Sequence, residues 1–531
     1  MGLSHRIGLL VALIGCNPPD PYDNNASNPA PSPSLTYLWQ SETSVVGFHK
    51  VTSTAREDRV LVGYNDLSGF DADNSGIPVV KTSPSFAGLS LSRDAGRTWS
   101  RRTFPAFATP DACGTPPCAT ALLGDPWLAT NGSRILYTNI ASTRAPTITN
   151  GQTDFSDDSI AVFWSDDGGD TWSPPQIAFT AAFAEKPDKE SVSMLGATAV
   201  IVHRGGGNLQ ISTSDDEGAS WSPEIFVPVL IPGLAIHDPV VVLTDGVSLK
   251  GQFTATEGYV AYLGTPVVLS GGNQIYAARI TRITRAVNDT NWSSEFTDAF
   301  GRDTLSVNYA PPGGLGRSWY DGIPMRFVVG GTSGHHLYIA YRERDANSGL
   351  DAVLVADCED VPTGTCHFDS TAVNNVGWRF TSFATPVVRG QTFVPGGAEF
   401  QPDVAVRGNT VAVTYYQRFA TSGASTAFTG WYSTDGGGTY HPGSVPVGGY
   451  DLRPNGGAAV PCPGAPDKNR GGAGYYGDYH GSTILPLTFP LEGGGSTPWI
   501  VTAFADSAGG CAFEPGSTSF FQDQHVRAVA W

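Results

Sequence analysis

Sustained helical periodicity is missing from this 531-residue chain, which argues against a fold built on helices. After the first 16 residues no apolar run approaches the ~20 residues that carry a helix across a bilayer. Positive charge is scarce: 31 Lys and Arg face 49 Asp and Glu, for a formal net charge of −18. Such a chain repels nucleic-acid phosphate, and a polyanionic partner would require a local basic pocket. No Gly-x-Ser-x-Gly, P-loop or dinucleotide fingerprint occurs, so the commonest local signatures of hydrolase, nucleotide and cofactor chemistry are absent. The chain does have 64 Gly, 39 Pro, 12 Trp and 19 Tyr, with only 15% charged residues. That balance favours many short strands joined by turns.

The N-terminus reads as an export signal. MGLSHRIGLLVALIGC begins with His5 and Arg6, continues through an apolar run from Ile7 to Ile14, and ends at Gly15-Cys16. A charged start followed by an apolar core is the pattern of a secretory signal. Leu13-Ile14-Gly15-Cys16 resembles the bacterial lipobox, which implies that Cys16 becomes a lipid-bearing N-terminus. Residues 17–34, NPPDPYDNNASNPAPSPS, read as a Pro/Asn/Ser-rich tether. We therefore expect a signal over 1–16, a tether over 17–34 and one domain over 35–531, lipid-anchored in a bacterial envelope. Asn17 after the Cys leans, by analogy, toward the outer membrane or cell surface.

Seven cysteines are present. Setting Cys16 aside for lipid leaves six, an even number suited to disulfides in an oxidising compartment. Cys113 lies near Cys118 and Cys358 near Cys366, leaving Cys462 with Cys511. Neither CGTPPC nor CEDVPTGTC has the spacing of a zinc knuckle.

One short pattern recurs: SRDAGRTW from Ser92, SDDGGDTW from Ser165, SDDEGASW from Ser214 and STDGGGTY from Ser433. Each copy follows a strand-like run, so each reads as a hairpin turn. Gly tolerates a positive φ, and the Asp side chain accepts backbone N–H groups ahead of it. The final aromatic opens the outgoing strand and packs between units. Steps between Asp94, Asp167, Asp216 and Asp435 are 73, 49 and 219 residues. The last is three times the first, which places two units without the pattern between the third and fourth copies. Repeats of about 40 residues or more made of strands are read as propeller blades. Paired strands recur over 41–103, 122–176, 187–226, 236–294, 320–382, 398–443 and 477–531. The expectation is an all-β propeller of four-stranded blades, most simply seven, with six or eight as alternatives. The last unit has three clear strands, and Leu35–Gln40 (LTYLWQ) could supply its fourth and close the ring.

The four repeats resemble the Asp-box, or BNR repeat, of the sialidase superfamily. That resemblance implies a β-propeller whose boxes, at Asp94, Asp167, Asp216 and Asp435, are structural and lie away from the active face. It also implies a glycoside-hydrolase site with three Arg on a substrate carboxylate, a Tyr–Glu nucleophile and an Asp acid/base. The chain departs from that set. It has no Arg-Ile-Pro motif, and the nearest echo, Gly322-Ile323-Pro324, has Gly in the Arg position.

In a propeller, the first residues of the inner strands ring the central channel. Here they are polar: Glu42, Asp125, Asp188, Lys189, Glu190, His237, Asp238, Asp321, Gln401, Asp403, Asp478, Tyr479 and His480. Asp125, Asp238, Asp478 and Tyr479 are the candidate catalytic residues. Glu190, His237, Arg342, Arg418 and His480 are the candidate ligand-binding residues, the two Arg lying at the outer ends of second strands. An Asp before Pro, as at Asp125 and Asp238, also caps a turn leading into a strand. No metal site is expected, although calcium could be drawn to the oxygens of SDDGGD or of FDADNSG (Phe70 to Gly76). SDDGGD, however, lacks the evenly spaced ligands and closing Glu of a calcium loop. The functional expectation is a monomeric binding propeller that takes a glycan or protein at its rim. A sialidase-type glycoside hydrolase is the alternative. Nucleic acid is excluded, and the membrane is reached through the lipid alone.

Overall fold

The structure is a computed structural model. It describes residues 22–25, 40–51, 56–66, 70–72, 78–80, 85, 87–102, 104, 118–144, 147–149, 152–154, 158–180, 186–205, 208–222, 225–227, 237–249, 252–263, 267–268, 274–276, 278–287, 289, 291–299, 305–306, 326–330, 336–344, 351–358, 378–383, 399–418, 425–443, 450–451, 480–490, 496–506 and 525–530. Among these there is no helix.

The chain forms a β-propeller of antiparallel, four-stranded blades, six of which have four strands each. The first sheet runs from Gln40–Val51 outward through Arg56–Asp66 and Ala87–Ser92 to Ser100–Arg101. The second holds Ala121–Thr130, Ile135–Ser142, Ser159–Ser165 and Gln176–Thr180. The third holds Asp188–Leu195, Thr198–Gly205, Asn208–Ser214 and Ile225–Val227. Two sheets without the repeated turn follow, as the spacing predicted. They begin at His237–Leu249 and Arg326–Gly330 and end at Ser293–Ala299 and Trp378–Ser382. The next sheet, Glu399–Arg407, Thr410–Arg418, Ser425–Ser433 and His441–Pro442, adds Tyr450–Asp451 against its third strand.

The last sheet corrects one expectation. Its inner strands are Gly481–Pro490, Ser496–Asp506 and His525–Ala530, and its outermost strand is Tyr22–Asn25, not Leu35–Gln40. Gln40 instead opens the first sheet's inner strand, and the stretch expected as a tether supplies the closing strand. An unpaired outer strand exposes a row of N–H and C=O groups, and covering it removes that edge.

Successive inner strands pack side by side, and the last packs on the first. Side-chain hydroxyls stitch these seams. Ser44 Oγ accepts Leu128 N–H at 2.9 Å, and Ser191 Oγ accepts Val241 N–H at 2.9 Å. Thr43 Oγ1 accepts Gly481 N–H at 3.1 Å and donates to the Ala503 carbonyl at 2.5 Å, which ties the last sheet to the first. Apolar side chains fill the space between blades, for example Phe104 against Tyr137 at 4.8 Å and Phe428 stacked on Phe504 at 4.2 Å.

All four repeated turns share one bonding scheme. In the second, Ser165 Oγ donates to Asp167 Oδ1 at 2.8 Å and accepts Gly169 N–H at 2.7 Å. Thr171 donates its N–H to Asp167 Oδ1 at 2.8 Å and its hydroxyl to Oδ2 at 2.5 Å. Asp94, Asp216 and Asp435 repeat the pattern with their own Ser and Thr or Ser partners. Burial opposes the charge on Asp94, Asp167 and Asp216, yet these hydrogen bonds outweigh it and hold the carboxyls below the usual range. The two residues after each Asp take positive φ, at Ala95-Gly96, Gly168-Gly169, Glu217-Gly218 and Gly436-Gly437. The final aromatic packs across a seam as expected: Trp172 lies 6.3 Å from Phe104, and Tyr440 lies 5.1 Å from Phe383.

Cys358 is buried at the end of its strand. Cys16, Cys113, Cys366, Cys462 and Cys511 lie outside the described residues, as does most of Phe70 to Gly76.

Candidate functional site

The inner strands begin at the end of the propeller opposite the repeated turns, because each box hairpin joins the third strand to the outer one. At that end the ladder is interrupted in sheet after sheet. Register shifts fall between Ser41 and Ser44, Gly124 and Trp127, Asp188 and Ser191, His237 and Val240, and Phe400 and Asp403. Bulges of this kind re-aim side chains. Three residues in them hold positive φ without being glycine: Asp125 at 57°, Lys189 at 54° and Gln401 at 47°. An L-residue in that region costs roughly 1–2 kcal/mol, and such strain gathers at functional sites.

Asp125 and Lys189 occupy matching bulges in adjacent blades and meet across the seam, with Nζ 3.1 Å from Oδ2. Both are partly exposed, at 13% and 16% of the side chain. Two carboxamides fix the backbone at Asp125. Asn65 Oδ1 accepts Asp125 N–H at 2.8 Å, and Asn139 Oδ1 accepts Gly124 N–H at 3.1 Å. Gly124 has φ 117°, and a Cβ there would lie 3.0 Å from Asn65 Oδ1. That close approach and that φ both require glycine.

Glu190, next to Lys189, is buried. Among the described residues neither of its carboxyl oxygens meets a hydrogen-bond partner. Burial pushes its pKa well above the ordinary value, and the charges of Asp125 and Asp188 push it further. The protonated form is therefore favoured beside a carboxylate held by lysine.

His480 belongs to a second cluster, between the last two sheets. It is buried, with Nε2 2.8 Å from Thr414 Oγ1 and the rings of Phe428 and Tyr416 edge-on at 5.0 and 5.7 Å. Gln401 and Asp403 are buried at the neighbouring bulge. His237 and Asp238 stand at the bulge of the fourth sheet, and Arg342 and Arg418 at the same end of second strands. The side chains of these four lie outside the described residues, and Asp321, Asp478 and Tyr479 lie outside them entirely. The structure thus joins Asp125, Lys189 and Glu190 and sets His480 in a separate cluster. The supporting Asn65 and Asn139 were not singled out from sequence. Their only signal is an Asn near the outer end of a second strand, in GYND and YTNIA. Among the described residues no group of three or more His, Cys, Asp or Glu side chains is placed to hold a metal ion.

The arrangement presents an acceptor and a cationic donor side by side, next in sequence to a buried carboxyl whose pKa is raised. That set suits a polar ligand rich in hydroxyls.

No protein-family profile matches the chain. A search of curated proteins also gives no match. Among solved structures, it is similar to an alpha-L-arabinofuranosidase of Fusarium graminearum, at 11% identity and a TM-score of 0.39 over 75% of this chain and 92% of that one. It is similar to an alpha-L-arabinanase of Penicillium chrysogenum, at 11% identity and a TM-score of 0.38 over 96% and 97%. A sialidase of Trypanosoma rangeli matches at 11% identity and a TM-score of 0.34 over 82% of this chain and 56% of that one. The propeller assignment rests on the strand order and seams described above, not on these distant likenesses.

Proposed function

We propose that this protein is an exported, lipid-anchored, Asp-box propeller of seven blades that binds an extracellular glycan at the rim around Asp125 and Lys189. One observation carries the reading. Two non-glycine residues, each in a left-handed conformation, sit at matching bulges of adjacent blades and pair across the seam. Strain that aims two polar side chains at one point supports a site there. The closed succession of inner strands supports the blade number. The apolar run ending at Cys16 supports the anchor. Pairing of Cys113 with Cys118, Cys358 with Cys366 and Cys462 with Cys511 completes the reading, supported by the six cysteines left once Cys16 is set aside and by the short spacing of the first two pairs.

A second reading, a glycoside hydrolase, is favoured by Glu190 beside Asp125. One carboxyl favours its proton and the other is held as a carboxylate, which is how paired carboxylates divide acid and base roles. Against it, both Glu190 oxygens are buried in this structure.

The deciding experiment takes the chain from Asn17 onward, together with Asp125→Asn and Lys189→Gln. Each is applied to a glycan array and to a panel of fluorogenic glycosides, a sialoside included. Binding without turnover, weakened about tenfold or more in either variant (~1.4 kcal/mol), is the expected result. Turnover that Asp125→Asn abolishes would replace the binding reading with the hydrolase. Glycan binding that both variants retain in full would remove the rim site.

A further inference from the structure

The face carrying the repeated turns has a cationic cluster that the turns do not need. At the seam between the first and second sheets, four basic side chains converge on the carboxylate of Asp170. Lys50 Nζ lies 3.1 Å and Arg59 Nη1 2.9 Å from Asp170 Oδ2. Arg102 Nη2 lies 3.3 Å from Oδ1, which also takes a hydrogen bond from Arg93. Burial works against the charge on Asp170, but hydrogen bonds from Arg59, Lys50 and Arg93 bring its pKa down to about 2.

These cations differ in what they have left to give. Arg59 is buried, with 2% of its side chain exposed, and is consumed by Glu57, Asp170 and the carbonyls of Asp167 and Gly168. It is the structural pin of the seam. Arg93, Arg102 and Lys50 are 44%, 22% and 26% exposed around Asp170, and Lys50 Nζ, which also donates to the Asp167 carbonyl, keeps one of its three N–H donors. A guanidinium carries five N–H donors, and a single carboxylate cannot absorb two of them with an ammonium as well. Arg102 Nε is in fact buried without a hydrogen-bond partner among the described residues. Burial, and then the nearby charge of Arg93, lowers the pKa of Arg102, while Asp170 works against them. The adjacent Asp167 carboxylate does not offset the positive charge by bonding, since its oxygens are taken by Ser165, Thr171 and the Asp170 N–H.

Nor does the turn itself call for these residues. Where the first box has Arg93, the others have Asp166, Asp215 and Thr434, and where the second has Asp170, the others have Arg97, Ala219 and Gly438. In a chain of net charge −18, a concentration of arginine on one turn face is unusual. Forked donors match the oxygens of phosphate.

We propose that Arg93, Arg102 and Lys50 form a phosphate-binding site on the face opposite the rim, with Asp170 as its internal counter-anion. The phosphate can come free from solution or from the headgroup of an anionic lipid, and the experiment separates the two.

The full chain from Asn17 is titrated with inorganic phosphate against chloride at matched ionic strength, followed by calorimetry and thermal shift. It is also mixed with vesicles of phosphatidylglycerol or phosphatidylcholine and sedimented. The variants are Arg93→Gln alone, Arg93→Gln with Arg102→Gln, and Asp170→Asn. Arg59 and Lys50 still span the seam in the arginine variants, and the most exposed position, Arg93, serves alone if the pair does not fold. Phosphate raising the melting temperature beyond chloride, with binding weakened about tenfold or more in the arginine variants (~1.4 kcal/mol), supports the site with a free ligand. Arginine-dependent sedimentation with phosphatidylglycerol but not phosphatidylcholine supports it with a lipid source. Asp170→Asn removes the internal competitor and is expected to tighten phosphate binding severalfold. A mere structural staple would give no phosphate-specific response in any chain and no arginine-dependent vesicle binding, and that outcome overturns the proposal. So does a response the arginine variants keep unchanged.

Discussion

Glu190 shows how one side chain sets the pH behaviour of the rim. Its folded pKa is raised by burial, so the folded protein keeps a proton that the unfolded chain releases at the ordinary carboxyl value. Stability from this group is therefore complete at acidic pH and is lost as pH rises through the unfolded value and beyond. Each unit of separation between the folded and unfolded values is worth about 1.4 kcal/mol. Glu190→Gln keeps the shape and removes the titration. The variant is expected to melt above the parent at pH 8, with the gap closing toward pH 4, as read by thermal unfolding across that range. A variant that melts below the parent at every pH would mean that Glu190 is ionised and paired in the fold. The sequence marked Glu190 as polar at a strand start. It could not show that the residue is buried, because a polar residue at a strand start carries no local signal of burial.

At the scale of the element, the repeated turn was legible and the bulge was not. The turn's chemistry is local: Ser, Asp, Gly and Thr bond one another within a few residues, so spacing alone predicts the hairpin. The bulges are built on Asp125, Lys189 and Gln401. Asp visits the left-handed region more readily than most residues, but Lys and Gln do not announce it; the ion pair between blades joins the first two, and Asn65 and Asn139 fix the backbone at Asp125. Backbone strain separates from crowding when a glycine of the repeated turn is set beside Gly132, in the hairpin between Ala121–Thr130 and Ile135–Ser142. Gly169 has φ 88°, and a Cβ there would lie 3.0 Å from Leu61 Cδ1, whereas Gly132 has φ 93° with nothing within 4 Å. Gly132→Ala is expected to cost about 1 kcal/mol through conformation alone. Gly169→Ala should cost about 1 kcal/mol more, since Leu61 is fully buried and has little room to shift. Thermal unfolding of both variants checks the ordering, and equal losses would show that the box tolerates a methyl group at the seam.

For the molecule as a whole, the decisive fact is that its two ends share one sheet. Tyr22–Asn25 pairs with His525–Ala530 along its full length, while Thr43, Gly481 and Ala503 knit the inner strands of the first and last sheets. Trp499 adds a hydrogen bond to the Ala95 carbonyl in the first box at 2.9 Å. Sequence alone supported closure by an N-terminal strand and offered Leu35–Gln40, with YDNN inside the tether, whereas Tyr22–Asn25 closes the ring. Leu35–Gln40 has the higher β-propensity, but an outermost strand obeys a different rule. It is solvated on one edge and draws its order from the ladder of its partner, so four polar residues serve. Shortening the chain to begin at Leu35 would leave His525–Ala530 as an open edge while sparing every inner strand. Relative to a chain from Asn17, it is expected to melt lower and to self-associate, because an unpaired strand templates further pairing. Thermal unfolding with light scattering at several concentrations reads both effects. If the shortened chain instead melts at the same temperature and stays monomeric, the bonds from Thr43 and Trp499 suffice to hold the ring shut without the N-terminal strand.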